Sequence, residues 1–229
     1  MALETKKALA RAVIFLGPPG AGKGTQARLV AGEFHVPHLS TGEMLRENAV
    51  SGTELGRLAR PIMESGSLVP DDLILRMVED RIARPDCANG FVFDGFPRTL
   101  PQAEALNRTL ERQDFAPPVV IFFRVADDIL MRRMTGRRTC KVGSEIYNIY
   151  DFPPKVAGRC DVDGGELIQR ADDRPEVIRE RLAAYDRQTK PLVEFYRSQG
   201  VLDEIDAAAG MAAVTASVFA VLHRPKGRP

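Results

Sequence analysis

Residues 17–25 read Gly-Pro-Pro-Gly-Ala-Gly-Lys-Gly-Thr and directly follow the apolar run Ala12–Leu16. Glycines let the backbone turn sharply and bring successive N–H groups against an anion. The helical pattern that begins at Lys23 adds the positive end of its dipole, and Lys23 itself supplies a mobile charge for phosphates. The stretch therefore predicts a strand, a phosphate-binding loop and a helix. The alternative is a Gly/Pro-rich turn that binds nothing, which would leave the preceding strand and the Gly-Lys pair unexplained.

Strand-like and helix-like segments alternate along the chain. The sequence predicts buried strands at Ala12–Leu16, Phe91–Phe93, Val119–Val125 and Val201–Ile205. It predicts helices at Lys23–Phe34, Asp71–Arg84, Pro101–Arg112, Ile129–Thr135, Arg174–Arg197 and Met211–Leu222. This alternation predicts an α/β fold, a P-loop three-layer sandwich in which helices cover both faces of a central parallel sheet.

Two stretches interrupt the alternation. Residues 40–69 have a helical pattern but lie between predicted strands, which indicates an all-α insertion. Residues 136–173 are rich in Gly and Pro, and a structureless loop of that length is unusual in a compact core. They therefore predict a small lobe with its own short strands. We expect a core of residues 1–39, 70–135 and 174–229, a helical insertion at 40–69 and a lid lobe at 136–173.

The composition excludes several classes of protein. The chain has 229 residues, 44% of them hydrophobic, and 32 Lys and Arg balance 31 Asp and Glu. A general nucleic-acid or membrane-surface binder normally has a basic excess, so we expect neither partner. No apolar run reaches the roughly 18 residues that span a bilayer, and the charged segment Met1–Arg11 lacks the long apolar region of a signal peptide. The 3 cysteines are too few for a disulfide framework and predict a reduced, cytoplasmic protein. We predict no function for the residues before Ala12 or for the tail His223–Pro229.

One position departs from the general phosphate-loop pattern. That pattern has a Mg²⁺-binding Ser or Thr directly after the lysine, whereas this chain has Gly24 there and Thr25 one place later. With this departure, the run Gly17–Thr25 resembles the phosphate loop of the adenylate kinase family. In that family Mg²⁺ is held largely through phosphate oxygens and water. The resemblance therefore implies Mg²⁺ that binds with ATP and has no direct hydroxyl ligand.

Two further segments carry the resemblance on the acceptor side. Leu39–Arg46 (LSTGEMLR) resembles the start of the family's monophosphate-binding insertion, and Phe93–Thr99 (FDGFPRT), followed by Gln102, resembles its second signature. The implied AMP site consists of Thr41, Arg46, Ser67, Leu68, Val69, Gly95, Phe96, Pro97, Arg98, Gln102, Arg170 and Arg181. Thr41 and Gln102 would contact adenine, and Arg46 and Arg98 the α-phosphate. These roles suit the chemistry, because guanidinium groups hold phosphates by bidentate hydrogen bonds.

Position alone supports plainer roles for some of these residues. Asp94 follows a predicted strand and is expected to orient the water shell of Mg²⁺, but the same position also suits a helix or turn cap. Arg46 taken alone would be a solvated charge on a helix. The surrounding motif favours the functional role in both cases.

The lobe contributes the remaining charges by resemblance. The family has transfer-site arginines at positions matching Arg137, Arg170 and Arg181, which join Lys23 and Arg98 in the implied catalytic set. The implied ATP site consists of Gly20, Ala21, Gly22, Lys23, Gly24, Thr25, Arg137, Ile146 and Tyr147. Phosphoryl transfer depends on positioning and charge stabilisation, and a closing lobe also excludes water. Taken singly, each arginine would be an exposed surface charge. We expect Asp172 and Asp173 to tether the arginines or a hinge rather than to act as bases.

The lobe also raises the question of a structural metal. Some family members bind zinc through Cys-x-x-Cys followed by a second Cys-x-x-Cys or Cys-x-x-Asp. This chain has Cys140, Cys160 and Asp163, but Gly143 occupies the second ligand position. Because structural zinc sites close with four ligands, we predict a weak, open site and do not expect structural zinc. The histidines are too scattered for a catalytic or metal site, so His38 is expected only to pack.

The resemblance extends from about Ala12 to Ile205 and implies the reaction ATP + AMP ⇌ 2 ADP, which serves nucleotide biosynthesis and adenine nucleotide balance. A monomer with Mg²⁺, ATP, AMP and ADP as partners is implied. One alternative is a GTP:AMP phosphotransferase, because Asp206–Met211, near the expected donor base, departs from the common pattern. A UMP/CMP kinase is disfavoured, since those relatives usually have a short lobe. A non-catalytic nucleotide-binding regulatory protein is the alternative from another class, although every expected charged position is filled.

Overall fold

The computed structural model of the chain describes residue 9, residues 11–143 and residues 145–224. Statements about structure below concern these residues. The predictions made for residues 1–8, 10, 144 and 225–229 lie outside them.

A five-stranded parallel sheet forms the centre of the fold, in the order β2-β3-β1-β4-β8. The strands of the molecule are β1 (Arg11–Leu16), β2 (His38–Ser40), β3 (Phe91–Asp94), β4 (Ala116–Arg124), β5 (Arg137–Cys140), β6 (Ile146–Asn148), β7 (Leu167–Ile168) and β8 (Leu202–Asp206). The helices are α1 (Lys23–Phe34), α2 (Thr41–Val50), α3 (Glu54–Glu64), α4 (Asp71–Ile82), α5 (Leu100–Arg112), α6 (Asp127–Gly136), α7 (Pro175–Ala184), α8 (Pro191–Ser198) and α9 (Met211–Leu222).

Helices cover both faces of the sheet, and the side chains of β1 show how. Successive side chains of a strand point to opposite faces. Ile14 belongs to a buried cluster that includes residues of α4, α5 and α8. Val13 and Phe15 belong to a second cluster, with residues of α1 and α9. Both faces of β1 are thus buried, as expected for a parallel sheet, and the predicted three-layer α/β architecture is confirmed.

The two interruptions have their own structure. Helices α2 and α3 occupy residues 41–64, and their N-termini are capped by Ser40 and Thr53, whose side chains accept from Glu43 N and Gly56 N. In the lobe, β5 pairs antiparallel with β6 and β7 to form a separate three-stranded sheet. That the insertion and the lid lobe are domains separate from the core stays a prediction.

Two local predictions differ from the structure. The strand β2 was missed because three residues are too few to show an alternating pattern. The predicted single helix Arg174–Arg197 is divided into α7 and α8 by a π-helical turn at Tyr185–Thr189. Its last bond runs from Lys190 N to Tyr185 O, and Pro191, which has no N–H to donate, begins α8.

None of the described helices is long and apolar enough to cross a membrane.

Candidate functional site

A cavity of about 850 Å³ opens at the carboxyl edge of the central sheet. There β1 runs into the glycine loop, β3 ends at Asp94 and β2 ends at Ser40. This edge is where open α/β sheets bind their ligands. Lys and Arg side chains outnumber carboxylates in the cavity lining by more than two to one. The cavity is therefore suited to a ligand with several negative charges.

The phosphate loop connects the end of β1 to the N-terminus of α1, as predicted. Gly20 and Gly22 have φ values of 84° and 92°, which disfavour any residue with a side chain. A Cβ at residue 20 would also lie 2.7 Å from Met134 Cγ. No side chain in the described chain caps α1, so its first N–H groups point towards the cavity without a partner. The Lys23 ammonium donates to Gly17 O and Pro18 O, each at 2.8 Å, and so braces its own loop.

Asp94 explains why the position after the lysine is glycine. A Cβ at Gly24 would lie 2.9 Å from Asp94 Oδ2, inside the closest approach that carbon and oxygen tolerate. The carboxylate also lies 3.7 Å from His38 Nε2. Burial opposes ionisation, but His38, Lys23 and Arg98 together hold the pKa of Asp94 below its ordinary value. Asp94 is thus an ionised carboxylate in the space that a hydroxyl-bearing side chain would need.

Replacement of Gly24 by alanine is expected to lower kcat roughly ten- to a hundredfold, because the added methyl group displaces the Asp94 carboxylate from the phosphate loop. Steady-state rates of the reaction that the sequence predicts, formation of ADP from ATP and AMP, measure the effect. Gly32→Ala is the matched control, since it lies on the same helix with no atom near its Cβ position, and it should leave kcat unchanged. Equal rates for the two variants would contradict the steric role of Asp94.

The acceptor side is held together around the carbonyl of Gly95. This oxygen accepts from Thr41 Oγ1 at 2.9 Å and from Arg98 Nε at 2.7 Å. The Arg98 N–H donates to Gln102 Oε1 at 2.8 Å. The fold thus brings Thr41 of α2 into one network with Arg98 and with Gln102 of α5.

Asp71 is a member of this network that sequence reasoning missed. Its carboxylate accepts from Gln102 Nε2 at 2.7 Å and from Thr99 Oγ1 at 2.8 Å. Because Asp71 can only accept, it orients the amide of the buried Gln102 with nitrogen on one side and oxygen on the other. The only sequence signal was an acidic residue in the first turn of a predicted helix, which normally indicates dipole stabilisation.

Two of the three predicted transfer-site arginines, Arg137 of the lobe and Arg181 of α7, contact a pair of aspartates. Arg137 makes a bidentate pair with the fully buried Asp173, with Nε–Oδ2 at 2.8 Å and Nη2–Oδ1 at 2.5 Å. Arg181 contacts Asp172 at 2.8 Å and Asp173 at 3.4 Å. Arg170 donates through Nε to Thr139 Oγ1 at 2.9 Å. The prediction that Asp172 and Asp173 tether arginines is confirmed.

The cost of holding these arginines in the cavity shows in their pKa values. Burial and the neighbouring Arg137 and Arg46 lower the pKa of Arg170 to about 9. Burial likewise lowers the pKa of Arg181 to about 10, although Asp172 opposes the shift. Arg137 differs, because its pair with Asp173 overcomes burial and raises its pKa. Cations that are costly to hold without a counter-ion mark a place prepared for an anion.

Lys23 adds a pH dependence to the site. Burial lowers its pKa to about 8; Arg98, Arg181 and Arg137 act in the same direction and Asp94 opposes them. Only the ammonium form binds phosphate strongly, so the affinity for the predicted ligand ATP should fall as the pH rises through about 8. Above that pH the amine is mostly neutral, so ATP binding should be accompanied by uptake of a proton. Calorimetry at about pH 9 in two buffers of different ionisation enthalpy measures this uptake. The uptake should vanish in Lys23→Met, and equal heats in both buffers for the parent would contradict the prediction.

The structure brings nearly all the predicted site residues to this one cavity. The ATP-side residues that line it are Gly20, Ala21, Gly22, Lys23, Gly24, Thr25, Arg137, Ile146 and Tyr147. The AMP-side residues are Thr41, Arg46, Ser67, Leu68, Val69, Gly95, Pro97, Arg98, Gln102, Arg170 and Arg181. Phe96 is the exception, because its side chain is buried in the core against Phe93, with ring centroids 5.1 Å apart. The individual roles of all these residues stay predictions.

The segment after β8 completes the lining on the donor side. Ala207, Ala208, Ala209, Gly210 and Met211 border the cavity. The Ala207 carbonyl accepts from Arg133 Nη1 at 2.9 Å. Apart from Met211, these residues have no side-chain atom beyond Cβ.

Comparison with known proteins agrees with this geometry. The family model described as adenylate kinase matches residues 15–201. An adenylate kinase of Desulforudis audaxviator is 46% identical over 93% of this chain and 99% of its own length. One from Archaeoglobus fulgidus is 44% identical over 93% of this chain and 99% of its own, and one from Caldanaerobacter subterraneus is 49% identical over 85% and 88%. The chain belongs to the adenylate kinase family.

Proposed function

We propose that this enzyme transfers the γ-phosphate of ATP to AMP, reversibly and with Mg²⁺, to give two ADP. The observation that carries the proposal is one cavity lined by two differently built groups of residues. One group is the phosphate loop with the start of α1, and the other is the network around Gly95 and Gln102. Membership of the family and the names of its curated relatives support the reaction.

The arginines that line the cavity carry the chemistry in this proposal. Two phosphates that approach each other repel strongly, and buried guanidinium groups offset this repulsion in a site of low dielectric. Arg98 and Arg46 would hold the phosphate of AMP, and Lys23 the terminal phosphates of ATP. Arg137, Arg170 and Arg181 would stabilise the charge of the phosphoryl group during direct in-line transfer. The AMP phosphate is already an anionic nucleophile, so no general base is required.

Asp94 fits a role in holding Mg²⁺ with ATP. Its carboxylate is ionised and lines the cavity beside Gly24 and Thr25. Carboxylate and water are ligands that suit Mg²⁺, which usually keeps several waters. When bound, the ion neutralises phosphate charge. Asp94 would orient its water shell, and the missing side chain at Gly24 leaves room for it.

Initial rates with each donor and acceptor test the reaction. ATP and GTP are compared as donors, each against AMP, CMP and UMP as acceptors. We expect ATP with AMP to be the best pair. A preference for GTP would favour the GTP:AMP alternative, and CMP or UMP as the best acceptor would overturn the proposed acceptor site. Nucleotide binding without turnover in any pair would favour a regulatory protein.

Asp71 should affect AMP more than ATP. In Asp71→Ala the Gln102 amide loses its fixed orientation, so we expect KM for AMP to rise roughly tenfold with KM for ATP nearly unchanged. Asp72→Ala is the control, because Asp72 follows Asp71 on the same turn of α4 and its side chain is exposed. If both variants have the same KM for AMP, Asp71 does not position Gln102 for the base.

We also propose a monomeric, cytoplasmic enzyme, as the family resemblance implies. Light scattering coupled to size-exclusion chromatography tests the oligomeric state. A mass of twice the 25.2 kDa chain would contradict it.

A further inference from the structure

Four side chains of metal-ligand type meet in the lobe. The ligand atoms of Cys140, Glu145, Cys160 and Asp163 all lie within 4.8 Å of one another. Cys140 Sγ is 3.3 Å from both carboxylate oxygens of Asp163, and Cys160 Sγ is 4.0 Å from Glu145 Oε2. Glu145 was not among the ligands considered from the sequence, because it lies two residues beyond the expected ligand position.

Glu145 occupies the place that a side chain at residue 143 would take. A Cβ built on Gly143 would lie 2.3 Å from Glu145 Oε2 and 2.7 Å from Asp163 Oδ2. The longer glutamate side chain therefore reaches back to the same point from a later position in the β5–β6 hairpin. Glycine at 143 is what makes room for this carboxylate. The Glu145 carboxylate therefore lies where the second cysteine of a Cys-x-x-Cys pattern would place its side chain, although residue 143 itself is glycine.

The surrounding groups hydrogen-bond to three of these four side chains. Gly143 N donates to Cys140 Sγ at 3.2 Å, and Gly165 N donates to Asp163 Oδ1 at 2.8 Å. The Tyr147 hydroxyl accepts from Asp161 N at 2.8 Å and also lies 3.6 Å from Cys160 Sγ, with which it shares a hydrogen bond. Donors of this kind stabilise thiolate and carboxylate charge and orient metal ligands.

The lobe has little else to hold it together. Its buried cluster consists of Cys140, Tyr147, Cys160 and Leu167, while Val142 and Val162 are 79% and 74% exposed. A unit with so small a core usually depends on a disulfide or a metal. The two cysteines are free thiols.

Some family members bind structural zinc in this lobe, and this chain lacks the second of their cysteines. We propose that Glu145 takes the place of that missing ligand here, so that Cys140, Glu145, Cys160 and Asp163 together bind one Zn²⁺. Two thiolates favour Zn²⁺ over Mg²⁺ or Ca²⁺, which prefer oxygen ligands. Four protein ligands close the coordination shell, as structural zinc sites require. This proposal replaces the expectation of a three-ligand, open site, and it does not depend on which nucleotides the enzyme uses.

Metal binding by the full-length protein tests the proposal. Purified protein, reconstituted with Zn²⁺ and desalted, should contain about one zinc per chain by elemental analysis. The Co²⁺ form should show intense visible bands of tetrahedral coordination with thiolate charge transfer. In Glu145→Gln we expect zinc affinity, measured by competition with a chromophoric chelator, to fall at least about tenfold. Glu166→Gln is the matched control, because Glu166 is an exposed lobe carboxylate that contacts Lys141 at 3.3 Å.

Three results would overturn the proposal. A reconstituted parent without bound zinc would exclude the site. Equal zinc affinity of Glu145→Gln and the parent would exclude Glu145 as a ligand. Equal weakening by Glu145→Gln and Glu166→Gln would show a general effect of lobe charge. Thermal unfolding gives a second measure, since removal of zinc should lower the first transition of the parent and have a smaller effect on Glu145→Gln.

Discussion

Lys23→Met should lower kcat by about a thousandfold, because the variant loses the full charge that the phosphate loop directs at the transferred group. The backbone N–H groups and the helix dipole of α1 remain, so nucleotide binding should weaken less than turnover. A coupled assay of ADP formation, with ATP and AMP saturating, measures the change.

Two further variants make this test specific. Lys190→Met is the control. The Lys190 side chain is 65% exposed, and within the described residues Asp186 is its one ion-pair partner. The kcat of this variant should equal that of the parent. Lys23 also braces Gly17 O and Pro18 O, so Lys23→Arg, which keeps charge and donors, should recover part of the loss. A kcat of Lys23→Met within tenfold of the parent would contradict the proposed role of this lysine.

Asp173→Ala should destabilise the protein by about 3 kcal/mol, because it leaves the Arg137 guanidinium without its buried counter-ion. Asp173 is 0% exposed and contacts both Arg137 and Arg181. For a chain of this size that loss corresponds to a fall in Tm of roughly 6–12 °C. Calorimetry or circular dichroism during heating measures it. We also expect kcat to fall, since both arginines lose the group that orients them.

An exposed ion pair provides the control for this prediction. Glu194 contacts Arg197 at 2.7 Å but is 75% exposed. Exposed pairs contribute little, so Glu194→Ala should change stability by no more than about 0.5 kcal/mol. If Asp173→Ala has the same Tm as the parent, water must hydrogen-bond to the Arg137 guanidinium in place of Asp173. The ion pair would then not stabilise the lobe.

The sequence predicted the central fold well because the signals there are local and strong. Residues of β1 form a continuous apolar run that leads directly into the phosphate loop, so one strand and one helix start follow from neighbouring residues. The break between α7 and α8 was missed, although Pro191 was visible, because the long helical pattern continues on both sides of it. A proline at the first position of a helix and a proline inside a helix look alike until the backbone bonds are known.

The candidate site divides in the same way. Lys23, Arg98 and Gln102 stand in dense motifs and were identified from the sequence. Asp71 and Glu145 were not, because their partners are far along the chain: Gln102 lies 31 residues from Asp71, and Cys160 lies 15 residues from Glu145. The partner of an acidic side chain cannot be read from local spacing.

By itself, the sequence determined the α/β architecture, the phosphate loop, the family and a set of site residues, nearly all of which line the cavity. The tertiary structure decided which charges neutralise each other, why Gly24 must lack a side chain, and where a fourth ligand to a lobe metal would come from. The physical reason is that patterns of apolar residues and glycines act over a few neighbouring positions. Electrostatic pairing, steric exclusion and coordination instead depend on distances of 2.5–4.0 Å between segments that only folding brings together.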